Sequence, residues 1–138
     1  MDSNRPSPAG QSKRRILVVE DDPHTRRINL LALRSVGFET MEARDGQEAV
    51  RLCLESRPAL VVLDLAIPKV SGLDVLEAIK RELGAAAPLV LVLTAHAMRE
   101  DLDAARQAGC DSYLAKPIDP FDLVDEIGRL LAARSESP

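Results

Sequence analysis

The chain reads as a doubly wound α/β domain on a five-stranded parallel sheet, and three observations carry that reading. The runs Ile16-Leu17-Val18-Val19 and Ala59-Leu60-Val61-Val62-Leu63 are apolar without interruption, as parallel strands covered by helices on both faces need to be. Strand-like and helix-like patterns alternate five times, the signature of successive β-α units joined by right-handed crossovers. Both apolar runs also end directly in carboxylates, Glu20 and Asp21 after the first and Asp64 after the second. The C-terminal ends of strands are where open α/β sheets place their ligand chemistry.

Each element follows from local chemistry. Residues 1–13 are rich in Ser, Pro and small polar residues and lack an apolar period, so they read as a disordered tail. The first strand runs from Arg15 to Glu20. Asp22-Pro23 then supplies an N-cap and a first-turn proline for a helix reaching about Val36, ended by Gly37. Phe38 to Ala43 alternates as an edge strand does. Asp45-Gly46-Gln47-Glu48 resembles a capping box, opening a helix with Ala49, Val50, Cys53 and Leu54 on its apolar side and Pro58 beyond its end. After the strand ending at Asp64, Ser71-Gly72-Leu73-Asp74 opens a third helix with Leu73, Leu76, Ile79 and Leu83 on one face and Gly84 as its stop.

Pro88 to Leu93 is another apolar strand, ending at Thr94. The fourth helix, about Met98 to Ala108, has only Met98, Leu102 and Ala105 as a core stripe, which predicts the weakest anchoring of the five. Gly109 caps it. Ser112 to Ala115 is a short last strand, and Asp119-Pro120 caps a final helix with Leu123, Ile127, Leu130 and Leu131 inward. The folded domain is thus expected over residues 14–133, with a frayed polar tail over 134–138. With the most apolar strands central, the strand order is the flavodoxin-like 2-1-3-4-5, whose switch point falls between strands one and three.

Composition narrows the function. At 138 residues with 46% hydrophobic content, the chain suits one domain that buries roughly two-thirds of its unfolded surface. A net charge of −4 argues against direct nucleic-acid or anionic-membrane binding. Neither a secretory h-region nor an 18-residue apolar run occurs, so the expectation is a cytoplasmic protein. Cys53 and Cys110 lack ligand spacing and read as bystander thiols. His24 and His96 have no partner at metal spacing. Glu20, Asp21 and Asp64 are different, because three carboxylates brought to one sheet edge call for a divalent cation.

The spacing carries a family resemblance as well. Val18-Val19-Glu20-Asp21-Asp22-Pro23, Leu63-Asp64-Leu65-Ala66-Ile67-Pro68 with Ser71-Gly72-Leu73, Leu93-Thr94-Ala95, and Tyr113-Leu114-Ala115-Lys116-Pro117 each follow a predicted strand, in order. Together they resemble the receiver domains of two-component response regulators from Arg15 to about Ala133. That resemblance implies a phosphoacceptor at Asp64, with Mg²⁺ (or Mn²⁺ as substitute) held by Asp21, Asp64, the backbone carbonyl of Ala66 and, through water, Glu20. It implies that Lys116 pairs with a phosphoryl oxygen, that Thr94 senses phosphorylation, and that Tyr113 follows as the switch aromatic. Asp22 fits a helix N-cap better than a ligand.

The implied function is a bacterial, stand-alone response regulator in a phosphorelay, not an enzyme beyond its own phosphotransfer and autodephosphorylation. Its donor would be a sensor histidine kinase or histidine phosphotransfer protein. Its output would be an effector protein reached through the face of helix four, strand five and helix five, with a phosphorylation-linked homodimer as a further form. The alternatives are a phosphate shuttle or sink, or a phosphorylation-independent pseudo-receiver, although no acidic or Lys position is lost. A haloacid-dehalogenase-like phosphatase would carry an acid two residues after Asp64, where Ala66 stands.

Overall fold

The computed structural model describes residues 15–67, 70–95 and 99–136. The expected N-terminal tail, Pro68, His96 and Met98 lie outside them.

Five strands form one parallel sheet in the order β2-β1-β3-β4-β5, as the apolar pattern predicts. The strands are β1 (Arg15–Val19), β2 (Glu39–Ala43), β3 (Leu60–Asp64), β4 (Leu89–Thr94) and β5 (Ser112–Ala115). Every residue of β3 is buried, whereas no residue of β5 is fully buried. That difference is the one expected between a central and an edge strand.

The helices are α1 (Pro23–Ser35), α2 (Gly46–Ser56), α3 (Gly72–Leu83), α4 (Arg99–Gln107) and α5 (Pro120–Glu136). Strand alternation divides the core in two. Leu17, Val19, Val61, Leu63, Val90 and Val92 pack with α2 and α3 on one face. Ile16, Val18, Leu60, Val62, Leu91 and Leu93 pack with α1 and α5 on the other.

The caps are where the sequence places them. Asp22 accepts from Thr25 N at 3.0 Å, Asp45 from Glu48 N at 3.0 Å, and Ser71 Oγ from Asp74 N at 3.2 Å. Gly37 and Gly109 follow α1 and α4 with φ of 94° and 103°, the left-handed region that glycine enters without steric cost.

Three details differ from expectation. Helix α2 ends on Arg57 at φ 47°, a left-handed cap without glycine; Pro58 follows and cannot continue the helix. A single 3₁₀ turn, Gly84–Ala86, extends α3 before β4. Helix α5 continues to Glu136, so residues 134–136 of the expected polar tail are helical, and residues 137–138 lie outside the described residues. Arg134 donates to Ala87 O at 3.0 Å and Ala59 O at 3.5 Å, which satisfies carbonyls at the base of β3 and β4 and holds the last turn against the sheet.

Candidate functional site

The acidic residues are positioned by the ends of two neighbouring central strands. Glu20 lies one residue past β1 but its amide still donates to Ala43 O at 3.0 Å, so the backbone stays sheet-like and the side chain turns inward, 2% exposed. Asp21 follows on the surface. Asp64 closes β3 in register with Leu93 and is also 2% exposed. Its two oxygens have different partners: Oδ1 accepts from Ala66 N at 2.9 Å and Oδ2 accepts from Lys116 Nζ at 2.5 Å. The lysine backbone is fixed in turn, because Lys116 N donates to Thr94 O at 2.8 Å just past the β4–β5 ladder.

One carboxylate oxygen from each of Glu20, Asp21 and Asp64 lies within 4.8 Å of the others. Burial pushes the Glu20 carboxyl up to about 7, and the neighbouring Asp64 adds to the shift; the Asp22 amide and Lys116 oppose it. Glu20 Oε2 accepts from Asp22 N at 3.1 Å. Glu20 Oε1, however, is buried without a hydrogen bond, and Lys116 Nζ stands 3.9 Å away. An orphaned buried acceptor is costly, and a hard cation among oxygen donors removes that cost. The donor set therefore suits Mg²⁺, with Mn²⁺ as a chemical substitute.

These groups open into a cleft of about 660 Å³, whose lining includes Ala66 and Lys116 with Ile28, Pro117 and Ile118 as an apolar wall. Thr94 and Tyr113 stand outside that lining. Thr94 is buried at the end of β4. Tyr113 is opposite Val92 in register, so alternation places Thr94 and Tyr113 on the same face of the sheet, one step apart diagonally. Tyr113 is half-buried against the α2–α3 core, and the Arg106 guanidinium of α4 lies 5.5 Å from its ring centroid, within cation–π range.

Two polar residues of α1 were not anticipated. Arg26 and Asn29 are buried together with Leu30 and Leu33, at helical spacings that the apolar period reserves for the core. A charge on that stripe was the available signal. Asn29 also lines the cleft.

The parallel α/β sheet thus brings a buried strand-end aspartate, two further carboxylates and a lysine together in one cleft. The chain belongs to the response regulator receiver domain family, which it matches over residues 16–128. Receiver domains are the phosphoacceptor modules of two-component signalling and partner histidine kinases.

The chain is 36% identical over 126 residues to the DNA-binding response regulator MtrA of Mycolicibacterium smegmatis, covering 91% of this chain and 54% of that protein. It is 36% identical over 103 residues to the polar-differentiation response regulator DivK of Brucella anthropi, covering 75% of this chain and 84% of DivK. It thus spans about half the length of MtrA and most of DivK. Among solved structures, the receiver domain of the sensor histidine kinase PA1611 from Pseudomonas aeruginosa superposes with a TM-score of 0.79 at 29% identity, covering 86% of this chain and 98% of that one. That structure has a magnesium ion coordinated in its active-site cleft. In the present chain, no helix among the described residues is long and apolar enough to cross a membrane.

Proposed function

We propose that Asp64 accepts a phosphoryl group from a phosphohistidine of a sensor kinase or histidine phosphotransfer protein, and that the acyl phosphate switches the surface around α4, β5 and α5 toward a partner protein. The observation that carries this is the pairing of Asp64 Oδ2 with Lys116 Nζ at 2.5 Å inside the acidic cluster.

In the transfer, an Asp64 carboxylate oxygen forms the new bond to phosphorus. The P–N bond of the donor breaks, and its electron pair returns to the imidazole nitrogen, which takes up a proton. A carboxylate is repelled by the phosphoryl oxygens unless their charge is neutralised. Mg²⁺, when bound, supplies that neutralisation. Asp21 and Asp64 would hold it through carboxylates, Ala66 through its carbonyl, and Glu20 through water.

Lys116 moves its ammonium from Asp64 to a phosphoryl oxygen as a point charge. The Thr94 hydroxyl donates to another oxygen, and this reward exists only in the phosphorylated state. Tyr113, one diagonal step away on the same face, follows Thr94 and changes its contact with Arg106 and α4.

Acetyl phosphate with Mg²⁺ should add one phosphoryl group, trapped by borohydride and located on Asp64 by mass spectrometry. Asp64→Asn should show no adduct. An adduct that persists in Asp64→Asn, or maps to His24, contradicts the assignment.

A further inference from the structure

We infer that Arg26 is a positioning residue for the metal site: it fixes the direction of the Asp21 carboxylate by holding both peptide groups that flank Asp21. The inference rests on the proposed Mg²⁺ site and adds a residue that none of its ligands implies.

Arg26 stands in the second turn of α1 and is 8% exposed. Its Nη1 donates to Glu20 O at 2.8 Å and reaches Asp21 O at 3.4 Å. Those carbonyls belong to the peptide before and the peptide after the Asp21 α-carbon. Holding both planes restrains φ and ψ at one residue, and φ and ψ set where its Cβ points. Asp21 needs this help because it is exposed and β1 has already ended at Val19. Its loop is otherwise held by the Glu20–Ala43 bond on one side, the Asp22 cap on the other, and the Asp22 amide donating to Glu20 Oε2 across it.

The guanidinium is held in its turn. Arg26 Nε donates to Glu42 Oε1 at 3.0 Å, so α1, the β1–α1 loop and the edge strand β2 are tied through one planar group. Arginine suits the task because its donors diverge at fixed angles and serve a carboxylate and carbonyls at once. A lysine in the same place has one nitrogen for all three oxygens. Loss of a group that orients a metal ligand from behind typically costs about 10–100-fold in metal affinity or activity.

The test measures Mg²⁺ affinity by calorimetry in wild type, Arg26→Met, Arg26→Lys and Glu42→Gln, at a temperature where circular dichroism shows each folded. Arg26→Met should weaken Mg²⁺ binding by roughly tenfold or more, with Arg26→Lys recovering part of the loss and Glu42→Gln showing a smaller one. The Mg²⁺ concentration that half-saturates phosphorylation by acetyl phosphate should rise by the same factor in each variant, a shift that a general loss of stability does not produce. Wild-type affinity in folded Arg26→Met overturns the inference; if that variant fails to fold, wild-type affinity in Glu42→Gln overturns it. A wild-type protein that binds no Mg²⁺ contradicts the metal site itself rather than the part of Arg26.

Discussion

The mouth of β1 and β3 and the region of α4 and β5 lie at the same edge of one sheet and are built in opposite ways. At the first, Glu20 and Asp64 are both 2% exposed, and a lysine, a helix cap and a buried arginine hold the surrounding backbone. At the second, no residue of β5 is fully buried, and Ala105 is the one fully buried side chain among those described in α4. The rigid end concentrates like charge in a dry setting, so adding or removing a single charge there changes the local energy strongly. The thinly packed end has little apolar contact to lose, so it is where such a change can be expressed as motion.

The largest effect should come from crowding the rigid end. A Cβ added at Gly72 would lie 2.5 Å from the Leu65 α-carbon, which is backbone and cannot rotate away. Gly72→Ala should therefore destabilise by about 3 kcal/mol in urea unfolding. A loss below about 1 kcal/mol would mean that the loop after Asp64 yields more easily than its packing indicates.

Next comes the pH dependence of the metal-free protein. The Glu20 carboxyl is raised from 4.5 to about 7 in the fold, so the native state binds the extra proton between those values. The stability that Glu20 contributes is then full below about pH 4.5 and is lost as pH rises to about 7, by at most roughly 3 kcal/mol. Thermal melts in chelator should show this decline, and both Glu20→Gln and millimolar Mg²⁺ should flatten it. A decline that persists in Glu20→Gln belongs to other groups.

Asp21→Asn removes one of three mutually repelling carboxylates from a more exposed position, so its effect should be smaller. We expect it to raise metal-free stability by about 1 kcal/mol while reducing the stabilisation by Mg²⁺. Equal Mg²⁺ stabilisation in wild type and variant would remove Asp21 from the site. Smallest of all, Gly128 in α5 has open space around a new Cβ, and Gly128→Ala should stabilise by about 0.5–1 kcal/mol from helix propensity alone. A loss of stability there would show tighter packing on the yielding side than the structure has.

The contrast between the two regions also explains what the sequence could show. β1, β3 and β4 were legible because burial on both faces leaves an unbroken apolar run, and the carboxylates ending two of them marked the cleft directly. Asp22, Asp45 and Ser71 were legible as caps because capping is local. Lys116 and Thr94, by contrast, stood out only through resemblance, since a lysine after one strand and a threonine ending another are unremarkable until the sheet brings them together.

Arg26 was missed because its burial depends on Glu42, sixteen positions away on another strand. The continuation of α5 to Glu136 was missed for the same reason, as Arg134 finds its carbonyls at the base of β3 and β4. Arg57 at φ 47° breaks the rule that glycine fills left-handed caps, and no neighbour in sequence announces it beyond Pro58.

In the proposed switch, a charge change at Asp64 is expressed at α4 and β5 through Thr94. Hydrogen exchange of the beryllofluoride complex, a mimic of the aspartyl phosphate, measures that coupling in wild type and Thr94→Ala. Exchange in wild type should change mainly across Arg99–Gln107 and Ser112–Ala115, and Thr94→Ala should still bind beryllofluoride while losing this change. The same exchange pattern in Thr94→Ala, or a wild-type change centred on Gly46–Ser56, would contradict the switch.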